Sequence, residues 1–211
     1  MPELSVVRDP FPHLVVDEWW DEELLRAVLD EFPDPEAQGW RRYVGAHERK
    51  LEGPQALWGY RTFEMFEAIQ SAIPDLEKAF EIPGLRMETI GGGYHCIEPG
   101  GYLNVHADFN VSPKTGWFRR LNLLVYLNVD WEDPGGHLQL WDDREVAADI
   151  APEFNRTVVF ETSDHSWHGH PIAASRWRRS VAAYFFTQDP PEGYSTEHST
   201  VWHPNAGQHR G

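Results

Sequence analysis

The residue types that can do chemistry concentrate in Gly101-Tyr-Leu-Asn-Val-His-Ala-Asp-Phe-Asn110, where His106 and Asp108 stand two positions apart. The segment reads as a β-strand. Side chains at i and i+2 of a strand share a face, so the spacing sets an imidazole beside a carboxylate. Such a pair is two thirds of a 2-His-1-carboxylate set, the arrangement that holds non-haem Fe(II) and leaves other coordination positions open.

A third ligand is available downstream. Ser163-Asp-His-Ser-Trp-His-Gly-His-Pro171 carries His165, His168 and His170, and any of them could complete the set. A His-Gly-His run ahead of a proline is equally compatible with a plain turn. The interval from His106 leaves room for several strands, enough for the chain to travel round a barrel and return. The next strand, Arg178-Arg-Ser-Val-Ala-Ala-Tyr-Phe-Phe186, is apolar apart from its start. Its alternation puts Arg178 on one face with Ser180, Ala182 and Tyr184, and Arg179 on the other. A buried arginine needs a counter-charge. Either one of the chain's many acids supplies it at a strand end, or a dicarboxylate ligand does, held by the guanidinium fork.

The elements that position these residues fall into two characters. Residues 1–84 read as a largely helical part. Its opening, residues 9–20, is a proline-restricted stretch and a short strand. Asp21 is the N-cap of a helix with Glu22 and Glu23 in its first turn; Leu24, Leu25, Val28, Leu29 and Phe32 form its apolar stripe and Pro33 stops it. Residues 36–58 are polar and aromatic without a period, as in an irregular region near a pocket mouth. Helical patterns follow over Arg61–Ile73, with Phe63, Phe66, Ile69 and Ile73 on one side, and from Pro74 to Pro83. From residue 85 to 187 the character is strand and turn, with strands near 85–90, 94–97, 102–109, 119–129, 136–141, 156–162 and 178–187. Asp133-Pro-Gly-Gly136 is a strong turn. The expected fold is mainly β with flanking helices, a double-stranded β-helix or cupin-like jelly roll. Residues 1–187 form one domain and 188–211 a surface tail, with His198, His203 and His209 as surface residues rather than ligands, or one of them as a cover over the site entrance.

Composition bounds the partners. The 211 residues carry a formal net charge of −16, which opposes binding to nucleic-acid phosphates or an anionic membrane. No apolar run approaches the roughly 18 residues of a spanning helix. Cys96 is the only cysteine, so no intramolecular disulfide forms and a cytoplasmic location is expected. Ten Trp fill a wide core or line a pocket.

Taken together, His106-Ala-Asp108, Arg120-Leu-Asn-Leu-Leu-Val-Tyr-Leu-Asn-Val-Asp-Trp131, Gly135-Gly-His-Leu-Gln-Leu140 and His168…Arg178 resemble the Fe(II)- and 2-oxoglutarate-dependent dioxygenases, within them the prolyl-4-hydroxylase-like branch, over about Ile90–Thr187. The resemblance implies that His106, Asp108 and His168 hold Fe(II), with His165 and His170 in surface or supporting roles. It implies that Arg178 binds the distal carboxylate of 2-oxoglutarate, that Tyr126 donates to the same carboxylate, and that Asn122, on the same strand face as Tyr126, reaches the co-substrate's inner end. The implied reaction consumes 2-oxoglutarate and O2, releases succinate and CO2, and hydroxylates an unactivated C–H bond of an amino acid, peptide or natural product. Relatives that halogenate replace the carboxylate ligand by a small residue, so Asp108 points to hydroxylation. One departure stands out: where prolyl hydroxylases carry a tyrosine that touches the co-substrate, this chain has Cys96 and Ile97, so the pocket relies on Tyr126 and Arg178 or recruits His95 or Tyr94. Substrate contacts are expected from Asn110, Trp117, Arg120, His137 and Trp141. Two other readings compete: a cupin-type metal enzyme that does not use 2-oxoglutarate, and a non-catalytic jelly-roll binding module.

Overall fold

The structure is a computed structural model that describes residues 4–191 and 199–204, with only the backbone of 89 and 90. In chain order its elements are β1 (His13–Asp17), α1 (Glu22–Asp30), β2 (Arg41–Val44), β3 (Glu48–Gly53), α2 (Tyr60–Ser71), α3 (Ile73–Phe80), β4 (Arg86–Ile97), β5 (Tyr102–Ala107), β6 (Phe118–Tyr126), β7 (Leu138–Trp141), β8 (Val146–Ile150), β9 (Arg156–Glu161), β10 (His168–His170), β11 (Arg178–Thr187) and β12 (Val201–Trp202). The strands form one antiparallel sheet in the order β1-β9-β6-β11-β4-β3-β5-β10-β7-β8, with β2 added to β3 and β12 to β5. The sheet curls into a jelly-roll-like half-barrel. Among the described residues no helix is long and apolar enough to cross a membrane.

The two-residue alternation of the strands decides which face is which. On β6, Leu121, Leu123 and Val125 point outward, and on β11 Val181, Ala183 and Phe185 do the same. All six join one core with Leu25, Val28, Met65, Phe66, Ile69, Leu76 and Phe80 of the helices. Burying one such side chain stabilises the fold by roughly 1.5–3 kcal/mol, so the helices cover the outer sheet face as a lid of apolar contacts. Their starts follow the sequence: the Asp21 carboxylate accepts from the Leu24 N–H at 2.8 Å, and Pro74 sits in the first turn of α3. Asn122, Leu124 and Tyr126, the alternate residues of β6, and Arg178 and Ser180 of β11 face the hollow of the half-barrel.

Two regions differ from expectation. Residues 36–58 are not irregular; they contain the β2–β3 hairpin, which joins β4 through Leu51↔Cys96 and β5 through Glu48↔Leu103. With β1, the short strand expected within residues 9–20, paired to β9, the largely helical part gives three strands to the sheet, of which β2 and β3 were not expected. Residues 201–202 form β12 on β5, with Trp202 opposite His106, and His203 is buried rather than at the surface, its N–H donating to the Val105 carbonyl at 2.9 Å. Such short strands carry no readable period, because backbone pairing, not a buried stripe, holds them. His198 and His209 lie outside the described residues.

Candidate active site

His106 is the next-to-last residue of β5 and His168 begins β10, directly opposite each other in the antiparallel ladder. Both imidazoles are oriented from behind by carbonyls two residues upstream: Nδ1 of His106 lies 2.9 Å from the Asn104 oxygen and Nδ1 of His168 2.9 Å from the Ser166 oxygen. Carbonyls only accept, so each Nδ1 carries the proton and each Nε2 offers a lone pair. The two Nε2 atoms converge on Asp108, at 3.5 Å from Oδ1 for His106 and 3.5 Å from Oδ2 for His168. The three residues present ligand atoms within 4.8 Å of one another, and they are the one such group among the described residues.

Asp108 is held from its other side. Asn122 Nδ2 donates to Oδ2 at 2.7 Å, and Arg119 Nη2 lies 3.1 Å from the same oxygen. Arg119 Nε also donates to Asn122 Oδ1 at 2.8 Å, and its guanidinium stacks 3.7 Å over the Tyr184 ring. Oδ1 therefore remains the carboxylate oxygen for a cation. Burial alone would push the Asp108 carboxyl up, but Arg119, His106 and His168 outweigh it and hold the group well below the usual carboxylate range. Burial pushes the His168 imidazole down to about 3, so it stays neutral and able to ligate.

Arg119 was not foreseen. Strict alternation on β6 would put Arg120 inside with Asn122. Instead the register slips: Leu121 faces Phe185 and Arg119 faces Phe186, which leaves Arg120 as a bulge. A bulge re-aims the side chains that flank it, so Arg119 turns inward and Arg120 outward to Glu161. No residue type in the sequence announces that slip.

The cavity that holds the triad also holds Arg178, at 4% exposure. Its Nε donates to the Gly136 carbonyl at 2.7 Å and its Nη2 to the Tyr126 hydroxyl at 3.2 Å. Gly136 has φ of 72°, a turn conformation that favours glycine, and that turn aims its carbonyl at the guanidinium. No carboxylate pairs with Arg178 among the described residues, so the salt-bridge reading of this arginine fails. Burial lowers its pKa and Tyr126 partly offsets this. Asn122 lies at the Asp108 side of the cavity, so the contacts it makes are with the carboxylate. Ile97, the ladder partner of Arg178, lines the cavity, while Cys96 points into the outer core. Of the two replacements considered for the missing tyrosine, His95 lines the cavity and Tyr94 does not; Tyr94 is buried outside and bonded to Thr62.

The expected substrate contacts fall elsewhere. Trp117 and Arg120 line a separate outer groove, His137 pairs with Asp149 at 2.8 Å near the surface, and Trp141 is buried against Gln139. Asn110 is buried, and its carbonyl accepts from the Arg119 N–H. His165 is exposed, as expected. The mouth above the triad is lined instead by Tyr43, Glu48, Lys50 and Glu52 of the hairpin and by Trp202 of β12. Trp202 stacks on His47 at 4.6 Å and lies 5.2 Å from the His106 ring.

A curled β-sheet with two histidines and a carboxylate on its inner face, and beyond them a buried arginine with no carboxylate partner among the described residues, defines a class: the non-haem metal jelly rolls. Residues 92–187 match the family described as the 2OG-Fe(II) oxygenase superfamily. Prolyl 3-hydroxylase 1 of Rattus norvegicus is 31% identical over 78 residues, which are 37% of this chain and 11% of that protein, and its Homo sapiens counterpart matches equally at 31% over 78 residues. This chain thus spans about a tenth of the length of the curated relatives it matches. Among solved structures, a Pseudomonas putida prolyl-4-hydroxylase superposes with a TM-score of 0.64 at 18% identity, covering 84% of this chain and 93% of that one. A Trichoplax adhaerens prolyl hydroxylase, in complex with a hypoxia inducible factor peptide fragment, gives 0.60 at 16% identity, covering 82% and 83%. The viral collagen prolyl hydroxylase of Paramecium Bursaria Chlorella virus-1, a 2-oxoglutarate complex, gives 0.56 at 13%, covering 86% and 99%. Fe(II), 2-oxoglutarate and O2 fit the residues present: the triad offers two neutral nitrogens and an anionic oxygen, and Arg178 is a buried cation lacking its anion.

Proposed function

We propose that this protein is an Fe(II)- and 2-oxoglutarate-dependent dioxygenase that hydroxylates a peptide substrate. The observation that carries the reading is Arg178, a buried guanidinium with no anion, in the same cavity as His106, Asp108 and His168. A non-oxidative cupin has no use for such a cation, and a binding module has no use for the triad.

In this reading His106, Asp108 and His168 hold the metal. Bound Fe(II), with 2-oxoglutarate and O2, supplies the oxidising power for a C–H bond and releases succinate and CO2. The chain's own residues do the rest. Asn104 and Ser166 fix the imidazole tautomers, a second layer of hydrogen bonds that metal sites rely on to orient their ligands. Asn122 and Arg119 hold Oδ2 of Asp108 and so fix the orientation of the carboxylate that would ligate the metal. Arg178 and Tyr126 anchor the distal carboxylate, and Gly136 and the Tyr126 ring, 4.9 Å beneath the guanidinium, keep Arg178 extended. Phe160, Leu124, Leu138 and Ile97 exclude water from between the two ends.

The peptide assignment rests on the mouth and on the relatives. The hairpin residues Tyr43, Glu48 and Glu52 form an open, polar rim suited to an extended chain, and the Trichoplax adhaerens neighbour is itself held with a peptide. The test is an anaerobic titration of the purified protein with Fe(II) and 2-oxoglutarate. Chelation of the keto acid at a facial triad with open positions gives a visible charge-transfer band, absent in His168→Ala and Asp108→Ala. Folded, iron-loaded protein without that band would sink the proposal. Succinate release with proline-containing peptides, compared with free amino acids, then decides the substrate class.

A further inference from the structure

Trp202 is the large apolar ring of the mouth that no core claims. β10 holds one edge of β5; β3 takes the other edge at Tyr102 and Leu103, and β12 continues it at His106 and Ala107. Residues directly opposite in a ladder share a face. The pairing of Trp202 with His106 therefore turns the indole inward, 5.2 Å from that imidazole, while Val201, opposite Ala107, points out and is exposed. The segment is anchored elsewhere. His203 is buried, its N–H bonded to the Val105 carbonyl and its ring lying between Trp141 and Trp167. Trp202 itself is half-buried, belongs to none of the apolar cores of the described residues, and stacks on His47, which is exposed. An indole is among the largest apolar surfaces a side chain offers, and one held half-open at a pocket instead of in a core marks a binding wall.

The other groups of the mouth narrow what that wall receives. Lys50 is paired with Glu48 at 2.9 Å, Glu52 with Arg41 at 2.7 Å and the Tyr43 hydroxyl at 2.9 Å, and Arg119 with Asp108 at 3.1 Å. A charged substrate side chain would compete with one of these pairs and strand a partner, which is costly. The surfaces of Trp202, Phe109 and Leu103 require nothing to be displaced. We infer that Trp202 is a specificity-determining residue: an uncharged, aliphatic side chain of the substrate packs on its indole beside His106. The inference rests on the dioxygenase reading and deepens it, adding to a peptide substrate the character of the residue that enters the site.

The test is calorimetric titration of the full chain loaded with Mn(II) and 2-oxoglutarate, without turnover, using capped peptides Ala-Ala-Gly-X-Gly-Ala-Ala in which X is Gly, Val, Leu, Pro, Lys or Glu. The parent is expected to bind the Val, Leu and Pro peptides about tenfold more tightly than the Gly, Lys and Glu peptides, roughly the effect of one aliphatic side chain taken out of water. Trp202→Ala is expected to remove that preference and to leave the Gly peptide as in the parent, because glycine has no side chain to lose. A strand that only props up the mouth would weaken every peptide alike. Trp202→Phe keeps a smaller ring and retains a preference of about threefold, and it carries the test if the alanine variant does not fold. The proposal is overturned by equal weakening of all peptides, by a preference unchanged in the variants, by a parent that does not prefer aliphatic X, or by no binding of any peptide. A failure of the dioxygenase reading looks different: the parent then binds no 2-oxoglutarate, with or without peptide.

Discussion

The guanidinium of Arg119 lies 3.1 Å from Oδ2 of Asp108 while the two imidazoles of His106 and His168 approach the same carboxylate at 3.5 Å, one at each oxygen. One carboxylate thus divides its charge between a permanent cation and a metal position. With the metal gone, Arg119 is the main counter-charge of a buried anion. Removing one partner of a buried pair costs about 3–5 kcal/mol. Arg119→Met is therefore expected to lower the melting temperature of metal-free protein by roughly 6–20 °C. Added Mn(II) should recover part of that loss by supplying the missing positive charge. Scanning calorimetry with and without Mn(II) checks this; equal losses in both states would contradict it.

Arg178 offers two differently directed N–H groups, one to the Gly136 carbonyl and one to Tyr126. Lysine is a point charge on a flexible stem and cannot reproduce that fork. Arg178→Lys is expected to weaken 2-oxoglutarate about tenfold, and Arg178→Ala about a hundredfold, since the carboxylate then loses charge-assisted bonds. Metal affinity should hardly change. Equilibrium binding of Mn(II) and of 2-oxoglutarate separates the two effects.

Three histidines, His168 and His170 buried and His95 half-buried, line the site in neutral form. Burial, then Lys50, brings His95 down to about 4, burial brings His168 down to about 3, and burial and Arg178 bring His170 well below its ordinary value. A depressed imidazole binds fewer protons when folded than unfolded, so stability rises with pH between the folded and unfolded values. Metal-free protein is expected to be fully stable in this respect above the unfolded pKa of about 6.5. It should lose up to about 1.4 kcal/mol per pH unit for each such histidine as the pH falls towards 4. Urea titrations at a series of pH values measure the slope, and a flat profile from pH 7 to 4.5 would refute it.

Trp202 stacks on His47 and lies 5.2 Å from the His106 ring, at the mouth. His203 is wedged between the rings of Trp141 and Trp167 at 5.7 and 5.0 Å. Trp202→Ala is expected to open the site and speed removal of bound Mn(II) by a chelator several-fold, with the melting temperature nearly kept. Stopped-flow chelation with a coloured chelator reads this directly.

The inner face was legible because strand chemistry is local. The i, i+2 rule set His106 beside Asp108, and alternation on β11 put Arg178 inside. The helix at Asp21 was legible from its cap. What escaped is what register and distant pairing decide. The bulge at Arg120 swaps the fates of two identical neighbours. The hairpin at 41–53 and the strand at 201–202 exist because backbone groups of β4 and β5 receive them, and their own side chains show no period. The buried place of His170 follows from β10, a three-residue strand too short to show a pattern.

The ladder pairing of His168 with His106 has one more consequence. Both ligands belong to neighbouring strands of the same sheet, so their separation is a fixed lattice spacing of the backbone. A slip of one residue in that ladder would turn His168 to the opposite face and break the triad outright. Metal capture is then a yes-or-no report on whether β5 and β10 have met in the right alignment, and chains that closed the barrel one step out of phase would stay empty and be told apart from the rest by their failure to retain a cation.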